Sequence, residues 1–300
     1  NFSLCGFKYY LSNILNLNIY EESFKTILGN ITHYVLQHGL TSNIDVGKYI
    51  EKYVSESDFV FKDKELFYLE LLKNELEFVL AYLKRMQESS GLKNYEFEVS
   101  LTKEKVIEGI NVTFKGFIDK LMYGYKNNKL TIAVVDYKTG LLHADFNKVV
   151  YGMDMQLLTY LYLIKNTNVI ENPVFTGMYL EPILSNVLKS SNGKTYLDIL
   201  LDEYKWVGYT IDNIKNVRSI DRDFEINSFI KGLRVKSDNT FYSTSKVLND
   251  IALEKLINIT SNNIDNVIKC IKESDFKINP KRLGNSNVSC EFCPYKDICY

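Results

Sequence analysis

Apolar residues recur along the first third of the chain with the period of a helix. Residues 22–37 place Phe24, Ile27, Leu28, Ile31 and Val35 on one stripe, the spacing that lets an α-helix bury a single face. Asp63–Ser89, long and rich in Leu, Glu and Lys, predicts another helix. The pattern changes near Tyr95. From there to Lys138, Val, Ile, Phe and Thr alternate with polar residues, which predicts strands. Gly152–Asn166 returns to a helical pattern, Pro173–Leu184 reads as a strand, residues 185–245 are ambiguous, and Ser245–Glu273 is helical again. This succession predicts an α/β fold, a central mixed sheet flanked by helices behind a helical N-terminal part. No internal repeat or Pro-rich linker marks a boundary, so residues 1–300 read as a single domain.

Composition adds exclusions. The 300 residues, 46% apolar and 24% charged, are ordinary for a soluble globular protein with bulk enough for a real core. The first residue is Asn rather than Met, which reads as a piece of a longer protein. The most apolar stretch, Val149–Ile164, contains Asp154 and Gln156 and falls short of the ~20 residues of a membrane span. With no signal peptide visible, the reading is of a soluble, cytoplasmic protein without a membrane role. A net charge of −1 speaks against a free-standing nucleic-acid binder, although 36 Lys and Arg leave room for a local basic groove. Five cysteines in a long chain without a secretory signal favour metal or cluster binding over disulfides.

The candidate chemistry lies in Gly116–Gly140. Two strand-like runs flank Lys126-Asn127-Asn128-Lys129, and Asn tolerates the positive φ that a two-residue hairpin turn requires. A turn at Asn127-Asn128 places Asp119 directly opposite Asp136, with Cβ atoms about 5 Å apart. Side chains alternate along a strand, so Lys138 shares the face of Asp136. Opposed carboxylates destabilise a sheet, the more so when Ile132, Val134 and Val135 suggest burial. A divalent cation such as Mg²⁺ would compensate them. A surface hairpin with solvated charges remains the alternative on these residues alone.

A second constellation closes the chain: Cys290-x2-Cys293-x5-Cys299. Tetrahedral zinc and a cubane cluster each want four ligands, and this tail offers three.

Together these segments resemble the PD-(D/E)xK nucleases of the RecB-like branch. Gly116-x-x-Asp119 followed by Asp136-Tyr137-Lys138 is similar to the core motif. Gly29-Asn30-Ile31-Thr32-His33 resembles the Gly-x-x-x-His of an upstream helix. Gln156-Leu157-Leu158-Thr159-Tyr160 resembles the Gln-x-x-x-Tyr of the helix after the core strand. All four occur in the order of the family. Taken singly, His33 would pass for a solvated histidine and Gln156–Tyr160 for ordinary packing.

The resemblance implies a restriction-endonuclease-like core and a metal-dependent deoxyribonuclease using Mg²⁺ or Mn²⁺. It implies a metal held by His33, Asp119, Asp136 and the Tyr137 carbonyl, with Lys138 orienting a water. Gln156 and Tyr160 would position the DNA backbone or Lys138. One subset of the branch carries a [4Fe–4S] cluster on one cysteine near the domain start and three near its end. By that likeness Cys5, opening "CGFKYYL", joins Cys290, Cys293 and Cys299 as a structural staple, with zinc on the same thiolates as the alternative. Closing so long a loop is worth roughly 5–6 kcal/mol at most. Cys270 lies outside the pattern and reads as a plain thiol.

The likeness is specific at residues 5–38, 109–165 and 276–300, with core motifs in 22–38 and 95–184. Residues 185–245 read as a family-variable insertion. Within the branch the chain is most similar to the AddB type, the nuclease part of a helicase–nuclease acting in double-strand-break repair and recombination. That likeness implies single-stranded DNA ends as substrate and an AddA-like helicase subunit as partner. A Cas4-like CRISPR-associated nuclease, or a catalytically silent DNA-binding scaffold, is the alternative.

Overall fold

The computed structural model describes residues 1–17, 23–126, 128–140, 142, 144–167, 173–184, 193–284, 287–291 and 293–299. A short helix α1 (Gly6–Tyr9) starts immediately after Cys5. Three longer helices follow: α2 (Phe24–Gly39), α3 (Val46–Glu56) and α4 (Asp63–Ser89). Their starts carry ordinary signals, since Ser23 accepts the Thr26 amide and Asp45 accepts the Lys48 amide. Strands β1 (Asn94–Ile107), β2 (Ile110–Lys126) and β3 (Lys129–Lys138) come next. After them lie α5 (Gln156–Asn166) and β4 (Val174–Pro182). The chain continues through α6 (Tyr196–Glu203), β5 (Val207–Ile211), α7 (Ile214–Ile220), α8 (Phe224–Asn227), β6 (Val247–Leu248) and α9 (Asp250–Lys272).

The described strands form one mixed sheet in chain order, β1 to β6. Pairing is antiparallel from β1 to β3, parallel between β3 and β4, antiparallel to β5 and parallel to β6. One face packs on α2, α3 and α4 through Ile31, Val35, Leu76 and Leu83 against Met122, Ala133, Val135 and Tyr137. The other face packs on α5 and α9 through Leu158, Leu161 and Ile257 against Ile118, Ile132, Val134 and Met178. Central β3 therefore has cover on both sides, which is why its sequence is an almost unbroken apolar run.

The predicted helix at residues 152–166 begins only at Gln156. Gly152 (φ 73°) and Asp154 (φ 53°) are left-handed, and residues 146–151 form a 3₁₀ turn instead. The C-terminal helix likewise starts at Asp250, capped by Asn249, because Val247 and Leu248 pair with β5. Of the stretch read as an insertion, the described part supplies β5 to the sheet and places Trp206, Val217 and Ile220 in the core. Residues 185–192 lie outside the described residues. The two ends of the chain meet: Leu4 O accepts both the Lys281 amide and the Ser289 hydroxyl, and the Gly6 amide donates to Asn279 Oδ1.

Candidate active site

Registers of the first three strands build the site. The β2–β3 ladder runs from Lys126↔Lys129 to Lys120↔Val135, so the next rung is Asp119 opposite Asp136, as the hairpin reading predicts. Asn128 is left-handed (φ 59°); Asn127, the other turn residue, lies outside the described residues. The ladder ends because the Asp119 carboxylate takes over from the backbone: its Oδ2 accepts the Tyr137 N–H at 2.7 Å.

The same level of β1 holds a residue that no motif announced. Phe97 pairs with Lys120 and Val99 with Ile118, so Glu98 stands at the rung of Asp119. Glu98 has φ 52° inside a strand, which costs a non-glycine residue of order 1–3 kcal/mol. The face alternation breaks there. Phe97 packs with the α2–α4 side, and Val99 with the α5 side. Ile118 and Lys120, on either side of Asp119, part in the same way. The kink turns Glu98 and Asp119 toward α2.

His33 meets them from that helix. Its Nδ1 is 3.5 Å from Glu98 Oε1 and 3.8 Å from Asp119 Oδ2, and its ring stands edge-on to Tyr137 at 5.6 Å. His33 is half-buried. Its helix does bury the opposite side, but the polar side faces a cleft rather than open solvent. One ligand atom each from His33, Glu98 and Asp119 gathers within 4.8 Å of the others, a spacing that suits a cation. Burial pushes the Asp119 carboxyl up to about 6; Asp136 adds to the rise, while His33 and the Tyr137 amide oppose it.

Asp136, almost fully buried, is held from the α5 side. Its Oδ1 accepts Gln156 Nε2 at 2.7 Å and the Tyr160 hydroxyl at 3.0 Å, and its Oδ2 pairs closely with Lys138 Nζ. Lys138 also donates to Gln156 Oε1 at 2.9 Å. Thus Gln156 and Tyr160, one turn apart on α5, bind both the carboxylate and the amine of Asp136-Tyr137-Lys138. The structure brings every predicted site residue of the core to one end of β3.

Behind this site, on the α4 side of the sheet, Lys120 and Glu181 form a buried ion pair at 3.1 Å. Trp206 Nε1 donates to the second Glu181 oxygen at 2.5 Å. The Lys120 ammonium lies 5.2 Å from the Trp206 ring centroid.

The four cysteines of the proposed staple line one cavity of about 340 Å³, together with Phe7, Ile278, Pro280 and Tyr295. Cys270 does not line it. Burial and then the neighbouring Cys293, Cys5 and Cys290 raise the Cys299 thiol. Tetrahedral zinc on thiolates needs sulfurs about 3.8 Å apart, from Zn–S bonds of about 2.3 Å. Among the described residues no three of these sulfurs gather within 4.8 Å. The thiols thus line one cavity without converging to the spacing of a zinc site.

Comparison with known proteins gives a consistent picture. The whole chain, residues 1–300, matches the PD-(D/E)XK nuclease superfamily. An ATP-dependent helicase/deoxyribonuclease subunit of Clostridium acetobutylicum is 25% identical over 98% of this chain and 28% of its own length. The corresponding protein of Clostridium perfringens is 27% identical over 77% of this chain and 19% of its own. The chain thus spans under a third of the curated relatives it matches. A crystal structure from Eubacterium rectale aligns over 98% of this chain and 80% of its own, at 12% identity and a TM-score of 0.46, a likeness too loose to bear on function.

Proposed function

The chain belongs to the PD-(D/E)XK nuclease superfamily, and from that premise we propose that it is the metal-dependent DNA-cleaving domain of an AddB-like helicase–nuclease subunit. The observation that carries this reading is the gathering of His33, Glu98 and Asp119 beside an Asp136 that Lys138, Gln156 and Tyr160 hold in place.

His33, Glu98, Asp119, Asp136 and the Tyr137 carbonyl would hold Mg²⁺ or Mn²⁺. Oxygen donors and one imidazole suit those ions. When bound, the cation supplies an activated water and neutralises charge developing on the scissile phosphate. Lys138, tied to Gln156, presents its ammonium at the rim and orients that water. Gln156 and Tyr160 fix the Asp136 rotamer through two hydrogen bonds to one oxygen, which leaves its other oxygen to face Lys138. Tyr137 would contribute its carbonyl, since its side chain is buried in the core between the sheet and the N-terminal helices.

Four cysteines lining one cavity, with no three of their sulfurs at the spacing of a zinc site, favour a [4Fe–4S] cluster over zinc. Cys5 beside the C-terminal thiols, with the Leu4–Lys281 and Leu4–Ser289 hydrogen bonds, gives the group a structural role in joining the chain ends. The relatives are named as subunits of an ATP-dependent helicase/deoxyribonuclease, which supports DNA as substrate; single-stranded ends, an AddA-like helicase partner and a cytoplasmic setting complete the proposal. No helix among the described residues is long and apolar enough to cross a membrane. The test is cleavage of single-stranded DNA with Mg²⁺ or Mn²⁺. Activity in the native chain, its loss with chelator and its loss in Asp136→Ala support the reading. Undiminished cleavage by Asp136→Ala refutes it.

A further inference from the structure

Helix α2 presents Lys25, Gly29, His33 and Gln37 once per turn along one wall of an open groove of about 630 Å³. Tyr53 of α3 forms part of the other wall, and Glu98 marks the inner end. Gly29 sits in the middle of this helix, where glycine is unfavourable relative to alanine. Two common reasons for a glycine do not apply. Its φ is not left-handed, and a Cβ added there meets no heavy atom within 4 Å. Gly39 on the buried side of the same helix differs, because a Cβ there would strike the Leu80 side chain at 2.7 Å. What Gly29 provides is clearance over the helix, one turn before His33.

The groove is also chemically suited to a chain of nucleotides. Tyr34 and Tyr53, both half-buried, have ring centroids 6.0 Å apart beside the gap. Lys25, exposed at the outer end, offers a cation to a phosphate. Glu98 at the inner end, with Asp119 behind it against His33, would repel a phosphate until a cation is present, which would couple strand entry to metal.

We propose that this groove is the track by which a single strand of DNA reaches the site, its sugar–phosphate backbone crossing α2 over Gly29 while a base stacks on Tyr53. The inference rests on the nuclease reading and adds the path and the residues that guide the strand. An unpaired base has a free face for tyrosine, whereas in a duplex those faces are already stacked.

The test is steady-state cleavage of fluorescein-labelled oligo(dT) with Mg²⁺, alongside thermal unfolding, for the native chain, Gly29→Leu, Tyr53→Ala and Tyr53→Phe. Gly29→Leu is expected to unfold at or above the native midpoint, because the added side chain enters open space and favours helix. Its KM for oligo(dT) is expected to rise by about tenfold or more, with kcat changed less. Tyr53→Ala should raise KM by roughly 5- to 160-fold, the worth of one stacked base, and Tyr53→Phe should restore it. An unchanged KM in both Gly29→Leu and Tyr53→Ala overturns the track and leaves the nuclease reading standing. If the native chain cleaves no DNA, both fall. Should Gly29→Leu not fold, the open-space argument is wrong, and the Tyr53 pair alone decides whether the groove binds the strand.

Discussion

The Asp119 carboxylate accepts the Tyr137 backbone N–H at 2.7 Å, tying a side chain of β2 to the main chain of β3 where their ladder stops. This gives Asp119 two separable tasks. Asp119→Asn keeps an oxygen for the amide and removes the charge. We expect it to fold with native stability and to lose cleavage by about two orders of magnitude or more. Asp119→Ala also strands a buried N–H, at about 1–3 kcal/mol. Urea unfolding and a nuclease assay on the two variants separate the tasks. Equal activity of Asp119→Asn and the native chain would remove Asp119 from the chemistry.

Tyr137 supplies the next test. Its hydroxyl is buried with no hydrogen-bond partner among the described residues, an arrangement that costs roughly 1–3 kcal/mol. Burial also drives that hydroxyl's pKa well up. Tyr137→Phe keeps the carbonyl proposed as a metal ligand and deletes the unsatisfied group. The expected outcome is a higher midpoint in urea with cleavage retained. A large loss of activity would mean that the phenol takes part.

Lys120 and Glu181 sit under the site as a buried pair with Trp206 on the second carboxylate oxygen. Lys120→Met leaves Glu181 charged without its cation, and should cost about 3–5 kcal/mol in chemical unfolding. Adding Glu181→Gln keeps an acceptor for the Trp206 N–H and removes the stranded charge. The double variant should therefore recover most of the loss. If it is as unstable as Lys120→Met alone, the pair holds the strands through something other than its charges.

How much of this was readable beforehand follows from local rules. The hairpin turn at Lys126–Lys129 sets the register, and a two-residue period then carries it to Asp119 and Asp136. His33 came from the Gly29-x-x-x-His33 pattern, yet its helical stripe said only that it faces away from one core. Whether solvent or a cleft lay there depended on β1. Glu98 was invisible because its role comes from a left-handed kink inside a strand, and the "EFEVS" pattern reads as plain alternation. The break at Gly152 and Asp154, which delays α5 to Gln156, was hidden by the apolar run that follows. Residues 185–245 resisted reading because β5 is five residues long and its neighbours are short helices, too brief for a period to emerge.

For the cysteine site, protein purified without oxygen should contain about four irons and four sulfides per chain. Cys5→Ala and Cys293→Ala should each lose the iron and lower the unfolding midpoint, because each opens the link between chain ends. Cys270→Ala, whose side chain does not line the cavity, should keep the iron. Stoichiometric zinc without iron would contradict the cluster.

The most direct measurement of the central claim is the position of a bound cation. Crystals of the chain soaked in Mn²⁺ and measured at the manganese edge should show one anomalous peak between His33, Glu98 and Asp119, beside Asp136. Binding there brings ligand atoms to about 2.0–2.3 Å from the ion. The peak should vanish in Asp119→Asn crystals. A peak elsewhere, or none in protein that cleaves DNA under the same conditions, would contradict the site.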